Sequence, residues 1–304
     1  MKKFPILFVA LASLFLTSCK SGDKAEDVSI NDTSANEIIE TNNKLIDLSK
    51  SQLGNIDRVI NYTENVEGKI SGRSLVLIPL TLFNMSFNSE KLETIPAAFG
   101  KQKDSIQIYF EKTKEKYSSI VSKTDELKSY MSAEDYKDDK GEKAKKITAD
   151  INKLVDEYFA SNNSLFRLTQ PIADQAEEHI LKDHPLKDYI IDAKVAIKNV
   201  EGSYDEIVNQ YNNESVNLEA LKSNYSKLEA IYKKMNREFK VDDTSYSNKK
   251  GYYENFTKEI DEFMGSLRKA QRDIESKKKI EIRTVEEVES AYDDIISKYN
   301  NFVS

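Results

Sequence analysis

Apolar residues recur at alternating steps of three and four along most of the chain. This spacing places them on one face of an α-helix, so it predicts long helices that pack along shared seams. The clearest predicted seams are Ile106, Phe110, Thr113, Tyr117, Ile120, Thr124, Leu127 and Met131; Ala144, Ile147, Ile151, Leu154, Tyr158, Leu165 and Leu168; Tyr253, Phe256, Ile260, Phe263, Leu267, Ala270 and Ile274; and Val285, Val288, Tyr292, Ile295, Tyr299 and Phe302. A first helix, over about Glu37–Val66, is less regular.

A seven-residue repeat occupies the region from residue 204 to residue 239. One heptad position holds Tyr204, Tyr211, Leu218, Tyr225, Tyr232 and Phe239, and its companion holds Ile207, Glu214, Leu221, Leu228 and Met235. A repeat near 3.5 residues predicts shallow left-handed crossing, as in coiled coils and helical bundles.

The breaks in these patterns predict where helices end. They are a turn at Asp135–Gly141, interruptions at Pro171 and Pro185, separations at Gly202 and Val241–Asn248, and a capping box at Thr284–Glu287. We therefore predict an all-α fold, an elongated bundle of five to seven long helices with coiled-coil-like packing. Residues 37–304 are expected to form one bundle domain, because no long linker divides them.

Composition supports this prediction and excludes one class of partner. With 9 Gly, 5 Pro and no Trp in 304 residues, and 32% charged residues, the chain is typical of extended helical proteins. Its net charge is −7. A nucleic-acid partner calls for a basic patch, so none is expected.

The N-terminal residues predict export. Met1–Lys3 is basic, and Phe4–Leu16 is an apolar run of thirteen residues. A membrane-spanning helix needs about 20 residues, so the run reads as a secretory signal peptide that is removed. Loss of Lys2 and Lys3 with the signal leaves 43 of the 45 basic residues against 52 acidic ones, a net charge of −9.

Cys19, the one cysteine of the chain, stands three residues after the end of this apolar run. Leu16-Thr17-Ser18-Cys19 resembles the lipobox of bacterial lipoproteins. The resemblance implies that the Cys19 thiol takes a diacylglyceryl group by a thioether bond and becomes the new N-terminus after cleavage. Its acyl chains would then anchor the protein to a membrane. A secretory signal with a chance cysteine is the alternative.

The predicted organisation is therefore a lipoprotein signal peptide at 1–18, a flexible tether at 19–36 and the helical bundle at 37–304. Residues 20–36 are polar and lack an apolar period, as expected of a tether. Lys20 stands where an inner-membrane retention signal places Asp, which favours the outer membrane of the cell envelope.

Ser74–Phe87 departs from the helical pattern. The stretch reads SLVLIPLTLFNMSF, is broken by Pro79, and lies in a connection of roughly 28 residues between the first two helices. Loops this long are uncommon in compact domains and are often functional. It either caps one end of the bundle or contacts a ligand, a partner or the membrane. The candidate contact residues are Leu75, Leu77, Ile78, Pro79, Leu82 and Phe83.

Two segments resemble a known family. The run SYMSAEDYKDDKGEKAKKITADINKLVDEYFASNNSLF, at Ser129–Phe166, and the ending AYDDIISKYNNFV, at Ala291–Val303, are similar to the YiiG-like family of putative bacterial lipoproteins, a domain of unknown function. The resemblance covers roughly residues 37–303. It implies a lipid-anchored helical protein and supplies no catalytic residues.

The residues give no support for catalysis, a cofactor or a metal. His179 and His184 are five apart, so on one helix they point to different faces, and two ligands fall short of a zinc site. Each is expected to be a surface or hydrogen-bonded histidine near Pro185. There is no nucleophile elbow and no glycine-rich phosphate loop. The many carboxylates are expected to form solvated helix faces.

Two functions are consistent with these observations. The first is a non-catalytic lipid-anchored protein whose bundle presents a face to an envelope partner. The alternative is a binding protein that holds a small or apolar ligand between helices near residues 74–87.

Changing Leu77 and Leu82 together to serine tests the two roles of the apolar segment. If the segment covers the core, denaturation should show a loss of about 2–3 kcal/mol for each side chain. If the segment is a docking surface, the denaturation midpoint should barely move and a partner recovered by pull-down should be lost. A stable variant that keeps every partner contradicts both roles.

Overall fold

A computed structural model describes residues 30–73, 92–241 and 246–303. These residues form α-helices and short 3₁₀ turns and contain no strand, which confirms the predicted all-α class. The helices are α1 (Asp32–Ile70), α2 (Lys103–Ser132), α3 (Glu142–Ile180), α4 (Lys187–Asn212), α5 (Leu218–Met235), α6 (Lys249–Lys277) and α7 (Ile282–Val303), with 3₁₀ turns at Ala97–Gln102 and Asp135–Lys137. Within the described ranges, none of these helices is long and apolar enough to cross a membrane.

The helices belong to two compact units, which meet in sequence at residues 180 and 181. We call them the α1–α3 unit and the α4–α7 unit. The sequence analysis did not anticipate this division, and the single bundle domain over residues 37–304 stays a prediction.

In the α1–α3 unit, α3 packs against both α1 and α2. It runs antiparallel to α1, since His179 near its end contacts Asp32 and Asn162 contacts Ser49. It also runs antiparallel to α2, as the Lys116–Glu157 and Lys123–Asp150 ion pairs show. Consequently α1 and α2 are parallel.

The parallel arrangement constrains the connection between α1 and α2. The end of α1 lies beside Gly141, because a Cβ built there would come within 2.4 Å of Ile70. Just before α2, the backbone of Glu93 and Ile95 is bound by the side chain of Gln107, near the opposite end of the unit. Helix α2 rises about 38 Å between Gln107 and its last residue at 1.5 Å per residue. Residues 74–91, which include the predicted apolar segment, lie outside the described residues.

In the α4–α7 unit each helix has two principal neighbours. α4 packs on α5 and α7, and α6 packs on α5 and α7, which closes a four-helix arrangement. The α4–α5 connection has five residues and the α6–α7 connection has four, and connections this short make neighbouring helices antiparallel.

The predicted seams form the cores. All eight predicted seam residues of α2 and all seven of α6 are buried. In the heptad region the companion position is buried at Ile207, Leu221, Leu228 and Met235. At the other heptad position Tyr204 is buried and the remaining five residues are half-buried. Leu154, Leu168 and Tyr299 are also half-buried.

Several predicted boundaries are wrong. Helix α1 begins at Asp32, inside the predicted tether, because Asn31 and Ser34 form a reciprocal capping box. Gly202 lies within α4. The helix ends instead after Asn212, where Glu214 adopts a left-handed backbone and Asn217 caps α5. A sequence that is poor in helix formers over 213–217 explains this break.

Two further predictions concern helix ends in the C-terminal half of the chain. Thr284 does not cap α7, which already begins at Ile282, and Glu287 instead pairs with Lys269 and Arg283. Pro171 lies inside α3, whereas Pro185 lies in the turn before α4, as predicted.

The predicted turn after α2 is confirmed and has a defined cap. Asp139 accepts hydrogen bonds from the backbone N–H groups of Gly141 (2.8 Å) and Lys143 (3.1 Å), and from the Tyr130 hydroxyl. Gly141 has φ +79°, a conformation that favours glycine. The Tyr130 hydrogen bond lowers the pKa of the Asp139 carboxyl, which keeps it a charged acceptor at the α3 N-terminus.

Leu228 and Lys227 provide a matched test of the heptad seam. Leu228 is fully buried in α5, and its neighbour Lys227 is exposed. We expect Leu228→Ala to lower the free energy of unfolding by about 2–5 kcal/mol, as for other large-to-small core changes. Lys227→Ala should change it by less than about 0.5 kcal/mol. Equal urea midpoints for the two variants would show that the seam does not stabilise the unit.

Candidate functional site

A group of ionisable side chains with raised pKa values lies in the α4–α7 unit, where α4 packs against α7. Glu201 and Asp205 are one turn apart on α4, so their carboxyl groups share a face of the helix. Glu201 is only 2% exposed. Burial of two acids this close is costly if both are ionised.

Two tyrosines enclose these acids. The rings of Tyr204 on α4 and Tyr292 on α7 are stacked, with centroids 5.2 Å apart and planes at 12°. The Tyr292 hydroxyl donates to Glu201 Oε1 at 3.4 Å. We call Glu201, Asp205, Tyr204 and Tyr292 the acid–tyrosine cluster. The two helices meet through these rings. The cluster is buried because it lies on the apolar faces along which α4 and α7 pack.

The protein environment favours the protonated form of each acid. Burial raises the pKa of Glu201 well above its usual range, and the charge of Asp205 raises it further. Lys198 and the Tyr292 hydrogen bond act in the opposite direction. Burial alone raises the pKa of Asp205 to about 6.

Both tyrosines are held neutral as well. Burial is the main cause of the raised pKa of Tyr204, with Glu289 adding to it. For Tyr292, burial raises the pKa and the Glu201 charge adds to the effect. The cluster therefore contains neutral phenol groups and no reactive phenolate. Since Glu201 has almost no exposed surface, it does not present an acid to a substrate in solution.

A second charged group joins α4 to α5. The buried Asp192 carboxylate pairs with Lys234 at 2.5 Å and with Arg237 at 2.7 Å. The Arg237 guanidinium lies over the Tyr189 ring, 4.9 Å from its centroid. The Tyr189 hydroxyl in turn accepts from the Lys240 backbone N–H at 2.8 Å. These contacts fix the end of α5 against α4, a structural role.

Both histidines have local partners. His179 Nε2 lies 2.8 Å from Asp32 Oδ1, at the edge of an open depression of about 690 Å³ beside the start of α1. His184 Nδ1 accepts from the Leu186 backbone N–H in the turn before α4. This agrees with the expectation of hydrogen-bonded histidines. Among the described residues, no three His, Cys, Asp or Glu side chains are placed to hold a metal ion.

The acid–tyrosine cluster consists of residues that the sequence analysis did not single out as candidates. The lipidation candidate Cys19 and the contact candidates Leu75, Leu77, Ile78, Pro79, Leu82 and Phe83 lie outside the described residues. The sequence analysis missed Glu201 and Asp205. Glu201 follows the buried Ile197 by four residues, so an acid at a seam position was the available signal.

Comparison with known proteins supports the fold alone. No protein-family model matches the chain, and no curated protein matches it significantly. An alpha helical protein from Bacteroides fragilis NCTC 9343 is similar in structure, with TM-score 0.55 and 17% identity over 90% of this chain and 98% of that chain. An uncharacterised DUF3829-like protein from Bacteroides thetaiotaomicron VPI-5482 has TM-score 0.51 and 18% identity over 86% and 96% of the two chains.

The chain therefore has an all-α fold that also occurs in helical proteins of uncharacterised function. The resemblance to the YiiG-like family is not confirmed by these neighbours.

The raised pKa of Asp205 predicts a contribution to pH-dependent stability that Asp205→Asn removes. Since the folded pKa is about 6 and the ordinary value is 3.8, the folded protein binds the proton more tightly. The stabilisation is complete below about pH 4 and is lost as the pH rises to about 6. At about 1.4 kcal/mol per pKa unit, the part of this loss that Asp205 contributes is on the order of 2–3 kcal/mol.

Urea denaturation of wild type and Asp205→Asn at pH 4.5 and pH 7 measures this loss. We expect the variant to gain stability relative to wild type as the pH rises. The exposed Asp261→Asn, in α6 of the same unit, should show no such trend. A wild-type-to-Asp205→Asn difference that is independent of pH would contradict the interpretation.

Proposed function

We propose that the chain is a non-catalytic lipoprotein of the bacterial cell envelope, anchored by lipid on Cys19 and placed in the outer membrane. Its helical bundle presents a surface to an envelope partner. The observation that carries the anchoring is Leu16-Thr17-Ser18-Cys19 behind a basic start and a thirteen-residue apolar run. Lipid on one cysteine gives stable attachment when more than one acyl chain is added.

The position of α1 supports this assignment. The helix begins at Asp32, so twelve residues separate it from Cys19. Twelve residues reach at most about 43 Å when fully extended. A lipid on Cys19 would therefore hold the N-terminal end of α1 close to the membrane surface, a geometry suited to presenting a bundle.

The non-catalytic role is supported by what the polar side chains of the interior do. Asp192 is neutralised by two cations, and the buried Tyr158 hydroxyl donates to Gln52 Oε1 at 2.9 Å. Asn55 donates to the Tyr117 hydroxyl at 2.8 Å. These groups hold helices together. Their hydrogen bonds and ion pairs go to neighbouring helices, which favours an interaction protein over an enzyme.

The test of anchoring compares Cys19→Ala with Ser21→Ala, a change just outside the cleavage motif. Wild type and Ser21→Ala should fractionate with membranes in mature form. Cys19→Ala should appear in the soluble fraction or as an uncleaved precursor, because only the thiol forms the thioether. Mature Cys19→Ala protein in the membrane fraction would contradict lipid anchoring.

Native mass spectrometry of protein purified from the envelope separates interaction from ligand binding. A co-purifying protein at fixed stoichiometry supports the proposal. A retained small or apolar molecule, without a protein, supports the alternative of a ligand held between helices near residues 74–87 and contradicts the proposed role.

A further inference from the structure

Residues 200–213 of α4 and 288–301 of α7 are near copies of each other in sequence. They read VEGSYDEIVNQYNN and VESAYDDIISKYNN, so eight of the fourteen positions are identical. Both copies place a glutamate three residues before a tyrosine. The acid–tyrosine cluster therefore draws on two copies of one motif, with Glu201 and Tyr204 from the first copy and Tyr292 from the second.

The two copies lie on antiparallel helices. The Tyr253 ring, at the start of α6, lies 5.0 Å from the Tyr189 ring at the start of α4. The same ring lies 5.2 Å from the Phe302 ring at the end of α7. The start of α4 is therefore beside the end of α7. Where the helices meet, Tyr204 and Tyr292 occupy the same position of the motif and stack on each other.

The glutamate of each copy pairs with the tyrosine of the other copy. The Tyr292 hydroxyl donates to Glu201 Oε1 at 3.4 Å, and the Tyr204 hydroxyl is hydrogen-bonded to Glu289. Reciprocal contacts of this kind are expected where two equivalent surfaces meet about a two-fold axis. Each acid–tyrosine pair thus joins α4 to α7 and does not lie within one helix.

The α4–α7 interface closes the four-helix arrangement. The other three neighbouring pairs, α4–α5, α5–α6 and α6–α7, are consecutive in the chain, whereas α4 and α7 have no direct connection. Separation of α4 from α7 therefore leaves the other three interfaces in place and requires no helix to unfold. We call the α4–α7 interface the closing seam.

The charges that act on Glu201 from α4 and α7 are mostly negative. On its own helix Asp205 adds a like charge, one turn away, and Lys198 opposes it. From α7, in addition to the tyrosine hydroxyl, Glu289 and Asp293 add negative charge around the two stacked rings. Ionisation of Glu201 therefore adds a charge to a seam that is already acidic.

Helices α5 and α6 present uncharged buried side chains at this level of α4. Asn224 of α5 donates to the Gly202 carbonyl at 3.4 Å. Helix α6 runs parallel to α4, since both are antiparallel to α5. Counted from the contact between the first tyrosines of the two helices, Gly265 lies level with Glu201, and the buried residues beside it are Met264 and Leu267.

We propose that the closing seam is a pH-sensitive switch, in which protonated acids hold α4 against α7 and their ionisation lets the seam open. Two ionised carboxyl groups one turn apart are costly in the closed seam and become hydrated when it opens. The open seam exposes the apolar faces of both helices, which the closed unit buries. Its opening would therefore regulate the surface that this unit offers to a partner.

The direction of the switch follows from the acids. Burial raises the pKa of Glu201 well above its usual range and that of Asp205 to about 6. The closed seam therefore binds protons more tightly than the open seam does. Closure is favoured at low pH, and this stabilisation is lost as the pH rises to about 6 and above.

Thiol labelling of single-cysteine variants of the full chain measures the opening. Every variant carries Cys19→Ala, so the reporter is the one thiol and the outcome does not depend on lipid anchoring. Val208→Cys, one turn after Tyr204, reports on the closing seam. Met235→Cys reports on the α5–α6 interface, because the Met235 carbonyl accepts from the Tyr253 hydroxyl. Both reporter positions are buried.

Each labelling rate is divided by the rate of the same variant unfolded in urea at the same pH, which removes the ionisation of the thiol itself. We expect the ratio for Val208→Cys to rise at least about tenfold between pH 5 and pH 7.5, the change that a shift of the Asp205 pKa from 3.8 to about 6 gives alone. The ratio for Met235→Cys should change less than about twofold, because its interface stays closed.

A matched pair of double variants tests whether the acids control the opening. Glu201→Gln with Asp205→Asn should remove the rise at Val208→Cys, because neither side chain can then ionise. Glu286→Gln with Asp261→Asn, at exposed positions of α7 and α6, should leave the rise intact.

A second reporter keeps the test decisive if Val208→Cys does not fold. Ile295→Cys, one turn after Tyr292 on α7, then replaces it. A ratio at the closing seam that does not change with pH would overturn the proposal. So would an equal rise at Met235→Cys, or a rise that persists when Glu201 and Asp205 are both replaced.

Discussion

The pairing of polar side chains inside apolar seams is the constraint on which both units depend. A regular seam of leucine, isoleucine and tyrosine tolerates a slip of one heptad, because the same residue types meet again. A buried amide or carboxylate does not, since a slip leaves it without a partner. In the α1–α3 unit, Asn55 with Tyr117 and Gln52 with Tyr158 set the register of α1. In the α4–α7 unit, Asp192 sets the register of α5 through Lys234 and Arg237.

This register explains the topology of the α1–α3 unit. Gln52 opposite Tyr158 and Asp32 opposite His179 require α1 to run against α3. A short turn already makes α2 antiparallel to α3. Helices α1 and α2 are therefore parallel, so the end of α1 and the start of α2 lie at opposite ends of the unit, and a short turn cannot join them. The length of the connection, which looked anomalous in the sequence, follows from the direction of α1.

The periodicity of the sequence predicted the helical class and most buried positions because burial acts on one face of each helix. The seams of α2 and α6 are examples in which every predicted residue is buried. Helix ends were predicted less well, because they depend on local hydrogen bonds. The Asn31–Ser34 box and the left-handed Glu214 are decided by one or two side chains, and a heptad pattern runs through them unchanged.

The acid–tyrosine cluster could not be predicted for a different reason. Glu201 sits at a seam position, and a single sequence cannot tell a buried acid from a solvated one until the partner helix is known. Tyr292, some ninety residues later, supplies both the stacked ring and the hydroxyl. This pairing arises because α4 packs against α7, and the residues next to Glu201 in the sequence carry no sign of it.

The two units thus set the register of their helices with different kinds of buried polar group. The polar layer of the α1–α3 unit is built largely from amides and hydroxyls, whose donors and acceptors must match one to one. The α4–α7 unit instead contains carboxyl groups that gain or lose a proton to suit their surroundings, as the raised pKa values of Glu201 and Asp205 indicate. An amide layer fixes one arrangement at any pH, whereas a buried acid makes the stability of its helix pair depend on proton activity. That difference makes the packing of α4 on α7 the more pH-responsive of the two cores.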